Sequence, residues 1–402
     1  MILLTHPTGN SNVRGVLKAL DHAGVLASFH TSLGVSDQGP VPWWKLPFRG
    51  RTFPIPREKL KLRPLRECIR LAAAKFDYKP LTTHETGWAS IDSVYRDLDH
   101  ALSRRLRKKD GQLRGVYCYE DGALETFLTA RELGLERIYD LPIAYWETAQ
   151  RLLQEEAERL PEWVPTLCGV KDSAAKLARK TQEMELADHV ICPSQFVVSS
   201  IPEKYRLRKQ ITVTPFGSPP GSPAKTAADY PAGRKLRVLF AGSMSQRKGL
   251  ADLFAAMKQL HRPDIELIVM GAPQAPMEFY RQQYAGFTYE PGRPHAQVLE
   301  LMRTCDVFCL PSIFEGRALV LQEAMSQGLP LIITANTGGE DLIDEGKTGY
   351  LIPIRQPDKI AGRLAWFADH RPVIPEMSRA AQAKAAGYTW EAYGQAILNA
   401  VL

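Results

Sequence analysis

Short apolar runs and stretches of helical periodicity alternate along almost the whole chain. In the N-terminal half "MILLTHP" reads as a strand, "SNVRGVLKALDHAG" as the helix after it, and "LASFHTSL" as a second strand. An irregular basic stretch follows, and then a long helical region around 88–108. "RGVYCYED", "GALETFLTARELG" and "ERIYDLPI" make a βαβ unit whose helix closes at Gly134. "AYWETAQRLLQEEAERLPEW" and "AAKLARKTQEMELA" are helical, and "DHVICPS" and "QITVTPFG" are strands with a short helix between them.

Residues 218–234, "SPPGSPAKTAADYPAGR", concentrate Pro, Gly, Ser and Ala and read as an interdomain linker. Beyond it the alternation restarts. "KLRVLFAGS", "IELIVMG", "FTYEPG", "DVFCLPS" and "LPLIIT" are strands. Between them lie the helices "KGLADLFAAMKQLH", "APMEFYRQQYA", "HAQVLELMRTC" and a segment from about 317 to 327. Near-continuous apolar strands separated by helices predict parallel sheets covered on both faces. The expected architecture is α/β: two doubly wound Rossmann-type domains, 1–217 and 235–387, facing a central cleft. Ligands of such sheets sit outside the carboxyl ends of the strands, where the polar loops of this chain fall. The closing helix, "GYTWEAYGQAILNAVL", spaces Trp390, Tyr393, Ile397 and Val401 for burial against either domain.

A chain of 402 residues suits two domains better than one core. Its six cysteines form no CxxC pair, which favours a reducing compartment and argues against structural zinc. The N-terminus carries no basic, apolar leader pattern, and no run approaches the ~20 apolar residues that span a bilayer. A cytoplasmic protein is expected, with peripheral contact at the membrane face as an option. That option comes from charge. Residues 1–217 hold 32 Lys and Arg against 26 Asp and Glu, and nearly all of the net +7 lies there. Ten basic and two acidic residues fall within 43–75, among Trp43, Trp44, Phe48 and Phe53, and "RRLRKK" follows at 104–109. Such a mixture suits anionic headgroups or a phosphorylated acceptor, or is a solvated loop and helix face. No nucleic-acid-binding module surrounds it.

The candidate chemistry lies in "PSIFEGRALVLQEAMSQGLPLIIT", residues 311–334. Glu315 falls in the turn after a strand and Glu323 inside the next helix, about two turns or ~11 Å further on. That separation fits two parts of one extended ligand, not the two groups that flank a single bond in a glycosidase. Between them the helix start offers backbone N–H groups from residues 316–318, a site for a diphosphate. A carboxylate in the helix can accept from the adjacent hydroxyls of a ribose, and one in the turn from a sugar ring. "FAGSMSQRKGL" adds Arg247 and Lys248 at another strand's carboxyl end, where two cations suit a departing pyrophosphate. In "THPTGNSN", Gly9 permits close backbone approach before a helix. The DxD-like triplet Asp97-Leu98-Asp99 lies in a helix, where its carboxylates diverge, and reads as surface charge.

"AGSMSQRKG", "PSIFEGRALVLQEAMSQGLPLI" and "TGGEDLIDEGKTGYLIP" resemble the second-domain motifs of glycosyltransferase family 4, retaining nucleotide-sugar transferases of GT-B fold. The resemblance covers roughly residues 188–402. It implies that the closing helix 388–402 crosses back to the first domain. Glu315 and Glu323 correspond to the family's E-x7-E motif, so Glu323 is expected on the ribose and Glu315 on the donor sugar. The N–H groups of Gly316, Arg317 and Ala318, with Leu319 beside them, face the sugar and phosphates. Lys248 matches the family lysine, and Ser243 stands where many members carry arginine, with Arg247 as its substitute. "THPTGNSN" supplies Gly9 and Asn10 as a donor-facing loop. Glu120, Asp121 and Asp140 fall where acceptor-side residues would lie.

The expected activity is transfer of a sugar from a UDP-, GDP- or ADP-linked donor to a hydroxyl of a glycan, lipid-linked or small-molecule acceptor. No cofactor or metal is expected. Arg247, Lys248 and Glu315 carry the catalytic roles. Alternatives are a nucleotide-sugar epimerase of the same architecture and a non-catalytic glycan- or membrane-binding protein. A dehydrogenase lacks its GxGxxG here, and a P-loop NTPase its GxxxxGK[ST].

Overall fold

A computed structural model describes residues 1–38, 51–108, 112–167, 172–223, 225–226 and 233–402. The first sheet contains β1 (Ile2–Thr5), β2 (Leu26–Thr31), β3 (Leu60–Leu62), β4 (Gly115–Tyr119), β5 (Glu136–Asp140), β6 (His189–Cys192) and β7 (Gln210–Val213). Every pairing is parallel, and the order is β3-β2-β1-β4-β5-β6-β7. The second sheet contains β8 (Leu236–Ala241), β9 (Ile265–Met270), β10 (Phe287–Glu290), β11 (Val307–Leu310), β12 (Leu331–Ile333) and β13 (Gly349–Leu351). It is also parallel, in the order β10-β9-β8-β11-β12-β13.

Both orders reverse direction beside their first strand, so each sheet has a switch point, between β1 and β4 and between β8 and β11. A crevice opens outside the strand ends at such a point. The two-domain α/β architecture is therefore the expected one, with two crevices meeting in one cleft. Residues of β4, β6, β8, β9, β11 and β12 are almost wholly buried, as sheets covered on both faces require.

The helices that matter for the site are α1 (Ser11–His22), α2 (Ile91–Leu106), α3 (Trp146–Arg159), α4 (Ala174–Leu186), α5 (Leu250–Leu260), α6 (Leu319–Ser326) and α7 (Trp390–Val401). The closing helix α7 lies on α1: Tyr393, Ile397 and Val401 share a core with Val13, Val16 and Leu17. The two helices approach closely at Gly15, where a Cβ would stand 2.9 Å from the Tyr393 ring.

Two features depart from the sequence reading. The basic stretch is not wholly irregular, since it supplies edge strand β3 and a helix, Pro64–Lys75. Lys61 interrupts the apolar pattern of β3, as suits an edge strand. Trp43, Trp44, Phe48 and Lys109 lie outside the described residues, as does part of the 218–234 linker. The second departure concerns residues 144–167, which belong to the first domain by sequence but pack in part on the second. Trp163, 1% exposed, enters the core around β8 and α5 and meets Phe254, Phe279 and Tyr280 with ring centroids 5.0–6.1 Å away. Ala144, Leu152, Leu153 and Leu167 cluster with Ile313 and Phe314 of the second domain. No helix among the described residues is long and apolar enough to cross a membrane.

Because Trp163 fills the second domain's core from outside its own sheet, Trp163→Ala should cost about 3–5 kcal/mol. Chemical denaturation is expected to show that loss in a transition that includes the second sheet. A loss under about 1 kcal/mol would contradict the packing.

Candidate functional site

The cleft contains a cavity of about 600 Å³. From the first domain it is lined by Asn10 and Asn12 beyond β1, Tyr119 and Glu120 at the end of β4, and Pro142 and Ile143 beyond β5. From the second come Gly242 and Lys248 beyond β8, Met270 and Gly271 at the end of β9, Gly292, Arg293 and Val298, and the run Glu315–Val320 with Glu323. The loops after β8 and β11, which flank the second sheet's switch point, thus bring Lys248 and Glu315 together.

Glu315 is 8% exposed, and one of its oxygens receives both cations. Lys248 Nζ stands 2.7 Å and Arg247 Nη1 2.5 Å from Glu315 Oε1. Burial alone would raise the Glu315 carboxyl, but the charges of Arg247 and Lys248 outweigh it and hold the group below the usual carboxylate range. Burial also lowers the Lys248 ammonium, with Glu315 opposing that effect and Arg247 adding to it. The trio carries two positive charges and one negative, a net excess suited to an anion. Glu315 Oε2 accepts no hydrogen bond from the described residues, so an acceptor remains for a ligand hydroxyl.

The turn after Glu315 is held by close approach and hydrogen bonds. A Cβ at Gly316 would stand 1.6 Å from the carbonyl oxygen of Pro142, so only glycine lets the two domains meet here. Ser194 of the first domain donates to the Gly316 carbonyl at 2.6 Å. The Glu315 and Ala318 N–H groups donate to the carbonyls of Asn336 and Thr337.

That pinning corrects the expected helix start. Helix α6 begins at Leu319, with Ala318 at its N-cap, and the Ala318 N–H is already engaged. The N–H groups of Gly316, Arg317, Leu319 and Val320 have no hydrogen-bond partner among the described residues. Of the expected donors at 316–318 only Ala318 drops out, and Leu319 and Val320 join the free N–H groups of Gly316 and Arg317. The Arg317 side chain turns away from the cavity, with its guanidinium paired to Asp341 at 2.7 and 3.0 Å and donating to Gly338 and Gln322. Only its backbone belongs to the site. Glu323 keeps one oxygen 3.0 Å from His295 Nε2 and the other without a partner among the described residues.

The remaining candidates separate. Asn10 lines the cavity, but Gly9 packs against Phe53 and does not. Ser243 bonds Ser245 at 3.3 Å and lies outside the lining. Arg247 reaches Glu315 from behind, beside the Phe314 ring. Glu120 lines the cavity 3.3 Å from Lys180. Asp121 pairs with Arg179 and Lys176, and Asp140 is buried under the Tyr117 hydroxyl, so neither lines the cavity. Asp97 pairs with Arg63, whereas Asp99 accepts from the N–H groups of Glu125 and Thr126. The carboxylates of that DxD-like triplet therefore serve separate places, and one is a helix cap instead of surface charge. One His/carboxylate cluster among the described residues has ligand-like spacing, His84, Glu85 and Asp172, and Lys176 already pairs with Asp172 there at 3.1 Å. Sequence reasoning missed Tyr119, Pro142, Ile143 and Phe216 as lining residues, although they close the strands "YCYED", "ERIYDLPI" and "QITVTPFG".

Two parallel switch-point sheets facing one cavity make the GT-B architecture. Residues 226–390, less than half of the chain, match the family described as glycosyl transferases group 1. The chain is 27% identical over 182 residues to a putative colanic acid biosynthesis glycosyltransferase, WcaL, of Salmonella typhimurium, covering 42% of this chain and 45% of that protein. It is 31% identical over 172 residues to the D-inositol 3-phosphate glycosyltransferase of an Arthrobacter species, covering 40% and 41%. The match therefore spans less than half the length of these relatives. Solved structures of the same fold include a sucrose-phosphate synthase from Thermosynechococcus elongatus, with TM-score 0.66, 18% identity and coverage of 99% and 97%. Anabaena HepE in complex with UDP-glucose superposes with TM-score 0.61, 14% identity and coverage of 99% and 98%.

Burial raises the Asp140 carboxyl to about 7, with the Tyr117 hydrogen bond opposing and the Glu120 charge adding to the rise. A carboxyl raised on folding favours the folded state below its unfolded value of 3.8 and loses that contribution as pH climbs through 7. Asp140→Asn should therefore gain stability relative to the parent between pH 5 and 8, on the order of 1–4 kcal/mol. Urea denaturation at both pH values measures it, and a difference independent of pH would contradict the burial argument.

Proposed function

We propose that the chain is a retaining glycosyltransferase that moves a sugar from a nucleoside diphosphate donor to an acceptor hydroxyl. The observation that carries this reading is the buried Glu315, charged between Lys248 and Arg247, on the same cavity as the unpartnered N–H groups of α6 and the Glu323 carboxylate. In this reading Glu323 accepts from the ribose hydroxyls, the start of α6 and Lys248 hold the diphosphate, and Glu315 Oε2 accepts from the donor sugar. UDP is the first donor nucleotide to test, because HepE of the same fold is solved with UDP-glucose.

Bond making and breaking occur on one face of the sugar. The C1–O bond breaks and the diphosphate takes its electron pair, stabilised by Lys248 and the helix N-terminus, while Arg247, outside the cavity lining, acts through Glu315. The acceptor oxygen bonds to C1 from the same side and passes its proton to the departing diphosphate oxygen. Configuration is retained, and the residues named supply positive charge and hydrogen bonds without a metal. The acceptor would enter between Asn10, Tyr119 and Glu120, the first domain's part of the lining.

Lys248→Ala should lower kcat by ~10²–10³-fold, and Glu323→Ala should chiefly raise the Kd for the nucleotide. Donor turnover and calorimetry on both variants test this. Full kcat without Lys248 contradicts the leaving-group role. Donor conversion with no acceptor present and no nucleotide release would identify an epimerase instead.

We further propose that the first domain meets an anionic membrane surface. Seven of the twelve large apolar residues exposed in the described chain fall between 62 and 91: Leu62, Leu65, Leu71, Phe76, Tyr78, Trp88 and Ile91. Lys61, Arg63, Arg66, Lys75 and Lys79 stand among them. The segment begins at the carboxyl end of β3, the end of the sheet that also faces the cleft, and Leu62, Leu65 and Trp88 lie together there. Basic charge mixed with exposed apolar side chains suits an anionic headgroup layer. The chain should co-sediment with vesicles containing anionic lipid and be released by high salt. Leu65→Glu with Phe76→Glu should abolish that binding, and equal binding to zwitterionic vesicles would contradict it.

A further inference from the structure

The loop that carries Arg247 and Lys248 is held from behind by a buried polar network that the proposed reaction does not use. Gln246 is fully buried. Its side-chain nitrogen donates to Glu156 at 2.7 Å and to Asp252 at 2.8 Å, and its oxygen accepts from the Ala251 N–H at 2.9 Å. Its own backbone N–H donates to the Thr166 hydroxyl at 3.1 Å. Glu156, also fully buried, accepts from Arg159 at 2.7 Å and from Arg355. Arg159 joins Asp252 at 2.8 and 2.9 Å. Arg355 is held in a left-handed backbone conformation, with φ of 62°, while its guanidinium pairs with Glu155 at 2.8 Å as well as with Glu156.

The buried part of this network, the Glu156 and Asp252 carboxylates with the Arg159 and Arg355 guanidiniums, is electrically neutral, and the more exposed Glu155 at its edge is balanced by Arg151. A buried ionic cluster of this kind adds little stability over apolar packing of the same volume, yet its hydrogen bonds fix one geometry. What it fixes is the residue next to the cations. Gln246, Arg247 and Lys248 form a single 3₁₀ turn, so a shift of Gln246 moves the Lys248 ammonium within the cleft. Glu156 and Thr166 come from α3 and the segment after it, which start just beyond the cleft-lining Pro142 and Ile143.

We infer that Glu156, with Thr166, acts through Gln246 as a positioning group that sets the Lys248 ammonium for the diphosphate of a bound nucleotide. This rests on the diphosphate reading of the cleft. The first half of the chain therefore tunes a cation of the second domain, and the network acts on the charged part of the ligand alone.

Calorimetry with UDP, GDP and ADP and with uridine, guanosine and adenosine tests the inference on the full chain. Gln246→Met removes the amide and leaves both carboxylates paired with their arginines, and Thr166→Val is a milder, isosteric second variant. Each should weaken the preferred diphosphate by about tenfold to a hundredfold while leaving the matching nucleoside unchanged, the smaller effect being at Thr166. Met377→Ala, a core change away from the network, should lower Tm and leave the diphosphate-over-nucleoside increment intact. Equal losses for diphosphate and nucleoside, or no loss in either variant, would overturn the positioning role alone. A parent chain that binds none of the three diphosphates would overturn the reading of the cleft, and this inference with it.

Discussion

The site depends on one buried carboxylate kept charged by two cations from a neighbouring loop. Glu315 lies at the end of one strand-to-helix turn, and Arg247 and Lys248 lie on the turn beyond the adjacent strand. Burying a lone carboxylate is costly, so the pairing is what allows Glu315 to remain ionised in the cleft. The same pairing draws the two loops together across the switch point of the second sheet. It occupies only one oxygen of Glu315, and the other has no hydrogen-bond partner among the described residues. A structural necessity and a binding function thus fall on one side chain.

The two domains are joined more intimately than a linker and a crossing helix imply. Residues 144–167 leave the first sheet beside the cleft, place Trp163 in the second core, and brace the cation loop through Glu156. Helix α7 makes the opposite crossing, from the second sheet back onto α1.

Much of this fold was legible because buried parallel strands are written as nearly unbroken apolar runs, and β4, β6, β8, β9 and β11 follow that rule. Edge strand β3 was not legible, since Lys61 and its basic neighbours mask a three-residue pairing with β2. The proximity of Lys248 to Glu315 could be inferred from their places at adjacent strand ends. The engagement of the Ala318 N–H could not, because its acceptor, Thr337, comes from a loop nineteen positions on. The inward turn of Arg317 has the same origin, a partner in Asp341 that no local pattern announces. Trp163 reads as first-domain sequence, and only the tertiary fold sends it to the other core.

The central claim is that a nucleoside diphosphate lies across the mouth of the second sheet with its charge on Lys248 and the start of α6. A crystal structure of the chain with its preferred nucleoside diphosphate tests this most directly. The account predicts phosphate oxygens within hydrogen-bond distance of Lys248 Nζ and of the Leu319 or Val320 N–H, with the ribose hydroxyls on Glu323. A nucleotide bound elsewhere, or one whose diphosphate leaves those groups untouched, would contradict it.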